Sequence, residues 1–312
     1  MSKLTESAIE TFAIKLFERL GYDTLYAPDI APDGESPERS SYDEVVLTER
    51  LRSAVRRVNP SIPLAAQQQA IKEVERIHSP ELLANNETFH RMLTEGVKVS
   101  YQQDGNDRGD LVWLIDFANP ENNEFVVANQ FTVIENHQNK RPDIILFING
   151  LPLVVIEIKN PADENATVKT AYQQLDTYKY TIPGLFTYNA LLVISDGLEA
   201  KAGSLSAGLS RFMAWKSVGA GLVPAQLGQP QGLPLRITEL ETLINGMLNK
   251  ATLLDLIRHF IVFEKSKKYA HTVYRQADER PQPDASDCTG QPCLFRQTRR
   301  FGGGLSGYCV RS

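Results

Sequence analysis

The chain has 312 residues, 42% hydrophobic and 23% charged, with a net charge of −5, ordinary values for a globular protein able to bury one large core or two small ones. No apolar run approaches the ~20 residues that cross a bilayer, and the start MSKLTESAIE lacks the apolar stretch of a signal peptide. The acidic balance argues against indiscriminate coating of nucleic acid, while leaving room for a local DNA channel.

Ile9, Phe12, Ala13, Leu16 and Leu20 recur at helical spacing and predict an amphipathic helix over 5–20, stopped by Gly21. Pro, Ser, Asp and Gly make 30–42 a loop. Helices are expected at about 43–58, ended by Asn59-Pro60, then at 64–78 and 81–94, with Gly96 closing the block. The period then changes. GVKVSYQ, DLVWLIDF and EFVVANQFTVI are β-branched and aromatic runs separated by turn sequences, and each predicts a strand. RPDIILFINGLPLVVIEIKNP, residues 141–161, predicts a hairpin turning at Asn149-Gly150. A helix over 166–179, a buried strand within NALLVISDG (189–197) and two helices between Leu233 and Glu264 follow.

Past about residue 272 neither period is visible, and the chain reads as disordered. Residues 261–312 hold nine Lys and Arg against five Asp and Glu, whereas the remainder holds 24 against 33. All three cysteines, Cys288, Cys293 and Cys309, lie in that basic stretch, with no nearby His to complete four zinc ligands. So few cysteines and no export signal point to a reducing, cytoplasmic setting.

The hairpin poses the chemical question. An ionised carboxylate in a continuous apolar strand is costly unless something pairs with it, yet Asp143, Glu157 and Lys159 interrupt this apolar run. Glu157 and Lys159 are two apart and so project from one strand face. A two-residue loop at Asn149-Gly150 would set Asp143 opposite Ile156, on the wrong face. A three-residue loop ending at Leu151, or a bend at Pro142, would set it opposite Glu157. Two carboxylates converging at a strand end suit Mg²⁺, which prefers hard oxygen ligands. A lysine beside them would hold or deprotonate an attacking water, or stabilise charge on a phosphoryl group. Without that convergence they are a strand-edge Asp and a Glu–Lys pair that serve solubility.

Pro142-Asp143, thirteen further residues and then Glu157-Ile158-Lys159 resemble the PD-(D/E)xK nuclease motif. The wider context is more specific. NPADENATVKTAYQQLDTYK, LLVISDGLEAKAGSLSAGLSRFMAWKS and LLDLIRHFIVFE resemble the amino-terminal region of the restriction (R) subunit of type I restriction-modification enzymes, over roughly residues 5–265. The resemblance implies an α/β, restriction-endonuclease-like fold: a mixed central sheet flanked by helices, with a helical segment after it. It implies a nuclease domain over 1–217, a helical linker over 218–265 and an atypical tail over 266–312.

It also implies roles. Asp143 and Glu157 match metal-binding carboxylates, joined by the backbone carbonyl of Ile158, and Lys159 matches the catalytic lysine. Gln174 and Tyr178 match a Gln-x-x-x-Tyr motif, on one face of the following helix. Glu10 matches a glutamate that some relatives place beside the metal, although by itself it reads as a solvated helix residue. The implied activity is Mg²⁺-dependent hydrolysis of DNA phosphodiesters, with modification (M) and specificity (S) subunits as partners and no membrane.

The family continues into an ATP-driven translocase, but no G-x-x-x-x-G-K-[ST] occurs here, and Phe301-Gly302-Gly303-Gly304 lacks the following Lys-Ser/Thr. A truncated, split or frame-shifted subunit without an ATP site is therefore expected. The alternatives are a docking fragment that binds the methyltransferase core without cutting, and a stand-alone repair nuclease of the same fold.

Overall fold

The computed structural model describes residues 5–103, 105–160, 167–216, 238–265 and 270–274, together with 295–296 and 308–309. In chain order the elements are α1 (Glu6–Arg19), β1 (Asp23–Tyr26), α2 (Thr48–Val58), α3 (Leu64–Glu75), α4 (Leu82–Glu95), β2 (Val97–Gln103), β3 (Asn106–Val112), β4 (Phe125–Asn129), β5 (Val133–Glu135) and β6 (Gln138–Lys140). Then come β7 (Ile144–Ile148), β8 (Leu151–Ile158), α5 (Val168–Thr181), α6 (Pro183–Thr187), β9 (Leu191–Ser195), β10 (Ala200–Gly203), α7 (Glu239–Met247), α8 (Lys250–His259), β11 (Ile261–Lys265) and β12 (Ala270–Tyr274).

The core is a six-stranded sheet in the order β1-β4-β7-β8-β9-β10. It is mixed: β1/β4 and β8/β9 are parallel, and the other pairs are antiparallel. Every residue of β7, β8 and β9 is buried, which explains their unbroken apolar runs. Helix α1 packs on β1, β4 and β8, and α5 on β8 and β9. This is the α/β sheet flanked by helices of a restriction-endonuclease-like fold. Residues 275–312 form a separate unit, in which Phe295–Arg296 pairs antiparallel with Tyr308–Cys309. Among the described residues no helix is long and apolar enough to cross a membrane.

Several sequence expectations are corrected. Helix α1 buries Ile9, Ala13 and Leu16 as expected, but Phe17 takes the buried place that Phe12, which is exposed, was expected to fill. Helix α2 starts at Thr48 rather than at about 43, and Val45 and Val46 are buried in the segment that precedes it. The strand expected at 110–117 lies earlier, as β3, paired only with β2. Gln130, at φ 60°, breaks the run 124–134 into β4 and β5. The last residues of the expected second helix form β11 instead.

The hairpin register is the most consequential correction. Asn149 (φ 53°) and Gly150 (φ 80°) form a two-residue loop, with Ile148 paired to Leu151. Both positive φ values suit the tight turns that match strand twist. The expected three-residue loop is absent. A β-bulge does its work: Phe147 faces Pro152, but Leu146 faces Val154, leaving Leu153 as the extra residue. Pro152 has no N–H to give the ladder, so the irregularity falls where pairing is already weak. The Leu153 carbonyl accepts from Ala190 N at 2.7 Å and so is not orphaned. Beyond the bulge Ile144 faces Ile156, and Asp143 comes opposite Glu157.

Candidate active site

Asp143 and Glu157 stand on adjacent strands, and Glu6 reaches them from the first turn of α1. One oxygen from each of the three carboxylates lies within 4.8 Å of the others. Thr5 caps α1 by accepting from Ala8 N at 3.3 Å, which starts the helix where Glu6 can face the sheet. Asp143 Oδ2 accepts from Ile158 N at 2.7 Å, locking the aspartate across the strand pair. Lys159 N donates to Ser195 O at 2.8 Å, continuing the parallel ladder with β9. The Lys159 ammonium donates to Glu157 Oε1 at 2.8 Å and to the Ile158 carbonyl at 3.1 Å, and lies 3.5 Å from Glu6 Oε1.

The electrostatics are those of crowded, dry carboxylates. Burial raises Asp143 to about 6, against the lowering effects of the Ile158 N–H and Lys159. Burial, and then the neighbouring Asp143, hold Glu157 well above the usual carboxylate range. Glu157 is fully buried, and its Oε2 has no hydrogen-bond donor. For Lys159, burial lowers the pKa, but the attraction of Glu157 outweighs it and the ammonium is held above its ordinary value. One lysine thus faces three acids.

A divalent cation fits this donor set. Six-coordinate Mg²⁺ at ~2.1 Å spans ~4.2 Å between opposite ligands, a separation compatible with three carboxylate oxygens that all lie within 4.8 Å of one another. The Glu6 side chain is 44% exposed, with its Oε1 3.5 Å from the Lys159 ammonium. Glu157 Oε2 is the kind of buried, unmatched acceptor that a cation satisfies.

The other expected residues fall around this centre. On α5, whose cap pairs Thr167 and Thr170 reciprocally, Gln174 Nε2 donates to Tyr178 Oη at 2.6 Å. Tyr178 is buried, and its phenol is held above the usual range by burial and then by Glu157. Glu10 is buried rather than solvated and lies outside the three-carboxylate group. Its oxygens accept from Asn129 Nδ2 at 2.7 Å and Gln130 Nε2 at 2.9 Å. Glu6, one turn earlier on the same helix face, joins the group, and it was missed. The only signal in the sequence was its spacing of four from Glu10. Cys288, Cys293 and Phe301–Gly304 lie outside the described residues.

A mixed sheet with acids converging on two neighbouring strands is the architecture of a restriction-endonuclease-like domain. The chain belongs to the family described as type I restriction enzyme R protein N terminus, whose model matches residues 3–211. It is 40% identical over 263 residues to the HindI type I restriction enzyme endonuclease subunit of Haemophilus influenzae, covering 84% of this chain and 24% of that protein. It is 34% identical over 287 residues to the putative MjaIXP endonuclease subunit of Methanocaldococcus jannaschii, covering 88% and 27%. The chain thus spans about a quarter of the length of these relatives.

Proposed function

We propose that this chain carries the DNA-cleaving site of a type I restriction enzyme and hydrolyses phosphodiester bonds with Mg²⁺ held by Asp143, Glu157, the Ile158 carbonyl and Glu6. The observation that carries this reading is the convergence of three carboxylates and one lysine in a single small volume. When bound, the cation would supply Lewis-acid polarisation of the phosphoryl group and a more acidic water. Lys159 orients the attacking water and offers positive charge to the phosphoryl oxygens as negative charge builds there. The Gln174 amide occupies a lone pair of Tyr178 Oη, which fixes the phenol so that its proton points away, as a donor to a phosphate oxygen. The family membership supports DNA as substrate and M and S subunits as partners, with ATP-driven translocation belonging to other parts of such enzymes. We also propose residues 1–217 as the nuclease domain, with the segments 218–265 and 266–312 following it.

The test is cleavage of unmodified plasmid by the assembled complex, with and without Mg²⁺. Lys159→Ala is expected to lower the rate by at least about 100-fold, the scale of losing one preorganised charge or general base. Near-normal cutting by the folded variant would refute the assignment.

A further inference from the structure

Gln130 lies between β4 and the Asp143 strand and is bonded in two directions. Its N–H donates to the Asp143 carbonyl at 3.1 Å. Its side-chain amide donates to Glu10 Oε2 at 2.9 Å, while the adjacent Asn129 Nδ2 donates to Glu10 Oε1 at 2.7 Å. Its backbone sits at φ 60°, a conformation that a side-chain-bearing residue holds only where its surroundings impose it. Glu10 is 8% exposed and stands one helical turn beyond Glu6, on the same face of α1.

The main chain of this residue therefore grips one carboxylate strand, and its side chain grips the helix that carries another carboxylate. Around it, α1 is held by Ile9, Ala13, Leu16 and Phe17, apolar contacts that are not directional and leave the helix some freedom along its axis. The amide bonds to Glu10 are directional and remove that freedom. We infer that Gln130 is a positioning residue, whose paired bonds set the distance between Glu6 and Asp143 and thereby how tightly a divalent cation is held. This rests on the metal site proposed above, and it gives Glu10 the role of a clamp rather than a ligand.

The probe is Mn²⁺ alone, an oxygen-preferring ion whose free form is read by electron paramagnetic resonance, titrated into the full 312-residue chain without DNA. Gln130→Ala keeps the backbone conformation and removes the amide. Gln130→Gly removes the amide and also relieves the positive φ, so it decides the matter if the alanine variant folds poorly. Both are expected to bind Mn²⁺ about tenfold more weakly, the scale of losing an outer hydrogen-bond partner at a metal site. Wild-type affinity in a folded Gln130→Gly chain, whatever its melting temperature, would overturn the inference and leave the metal site standing. Glu157→Gln separates the two failures. It should abolish binding, and if it does not, or if the unmutated chain binds no Mn²⁺, the metal reading fails and this inference with it.

Discussion

Asp143 and Glu157 are acids placed where acids ionise poorly, and that sets a measurable pH dependence. The folded value of Asp143, about 6, lies above its ordinary 3.8. The native state therefore binds this proton more tightly than the unfolded chain does. The penalty for ionisation is fully present above pH 6 and disappears as pH falls toward 3.8. Asp143→Asn, still able to accept from Ile158 N, should stabilise the metal-free chain at pH 8 by on the order of 2 kcal/mol. In urea melts that advantage should shrink as pH falls through 6. An equal advantage at pH 4.5 and pH 8 would contradict the electrostatic account. Added Mg²⁺ should offset the same penalty in the unmutated chain and stabilise it more at pH 8 than at low pH, because the ligands must lose protons to bind it. At this scale Asp143, Glu157 and Lys159 were legible because charge in a fully apolar run is anomalous. Glu6 was not. A glutamate in the first turn of an amphipathic helix is what the helix dipole favours anyway, so only the packing of α1 on the sheet brings it beside Asp143 and Glu157.

The β7–β8 hairpin shows why element-level reading stops short of chemistry. The continuous apolar runs and the Asn-Gly signal pointed to both strands and the turn, and the requirement that Asp143 face Glu157 identified the needed register. The means of reaching it, a bulge at Leu153, depends on pairing with β9 and on Pro152, which no local period expresses. The turn itself is tightly constrained from outside. A Cβ on Gly150 would stand 2.4 Å from the Leu47 carbonyl oxygen and 3.0 Å from Leu51 N, at φ 80°. Gly150→Ala is therefore expected to destabilise the chain by more than about 2 kcal/mol, combining left-handed strain with a backbone clash. A melting midpoint within a degree of wild type would show that Leu47 and the start of α2 yield easily. Asn149 is held from several sides, its amide donating to the Leu114 carbonyl at 2.9 Å and its Oδ1 accepting from Glu124 N at 2.8 Å. The far end of the hairpin is thus anchored while its open end carries the acids.

For the whole molecule, strand order was the least legible feature. The expected segments were mostly present, but nothing in them says that β1 pairs parallel with β4 or that β2 and β3 leave the main sheet. Long-range pairing is decided by which buried faces fit together, a property of the assembled core. The helices after residue 237 show the same limit. Helix α7 buries Leu240, Leu243, Ile244 and Met247 and packs on α1 and β10, and Tyr22 Oη donates to the Leu248 carbonyl at 2.8 Å. A chain ended at residue 216 would uncover that face of α1. At roughly 1.5–3 kcal/mol for each large apolar side chain buried, it should melt well below the full chain and hold Glu6 less firmly. An unchanged midpoint would mean that α7 and α8 add nothing to the nuclease fold.

The central claim is that the acids meeting at the ends of β7 and β8 break DNA. The direct measurement is Mg²⁺-dependent cleavage of unmodified plasmid by a reconstituted complex carrying Glu157→Ala, with folding and subunit assembly checked on the same sample. Loss of cleavage with assembly intact is the predicted result, since the substitution removes the fully buried carboxylate that Lys159 faces at 2.8 Å. Double-strand cutting at the wild-type rate by that complex would contradict it.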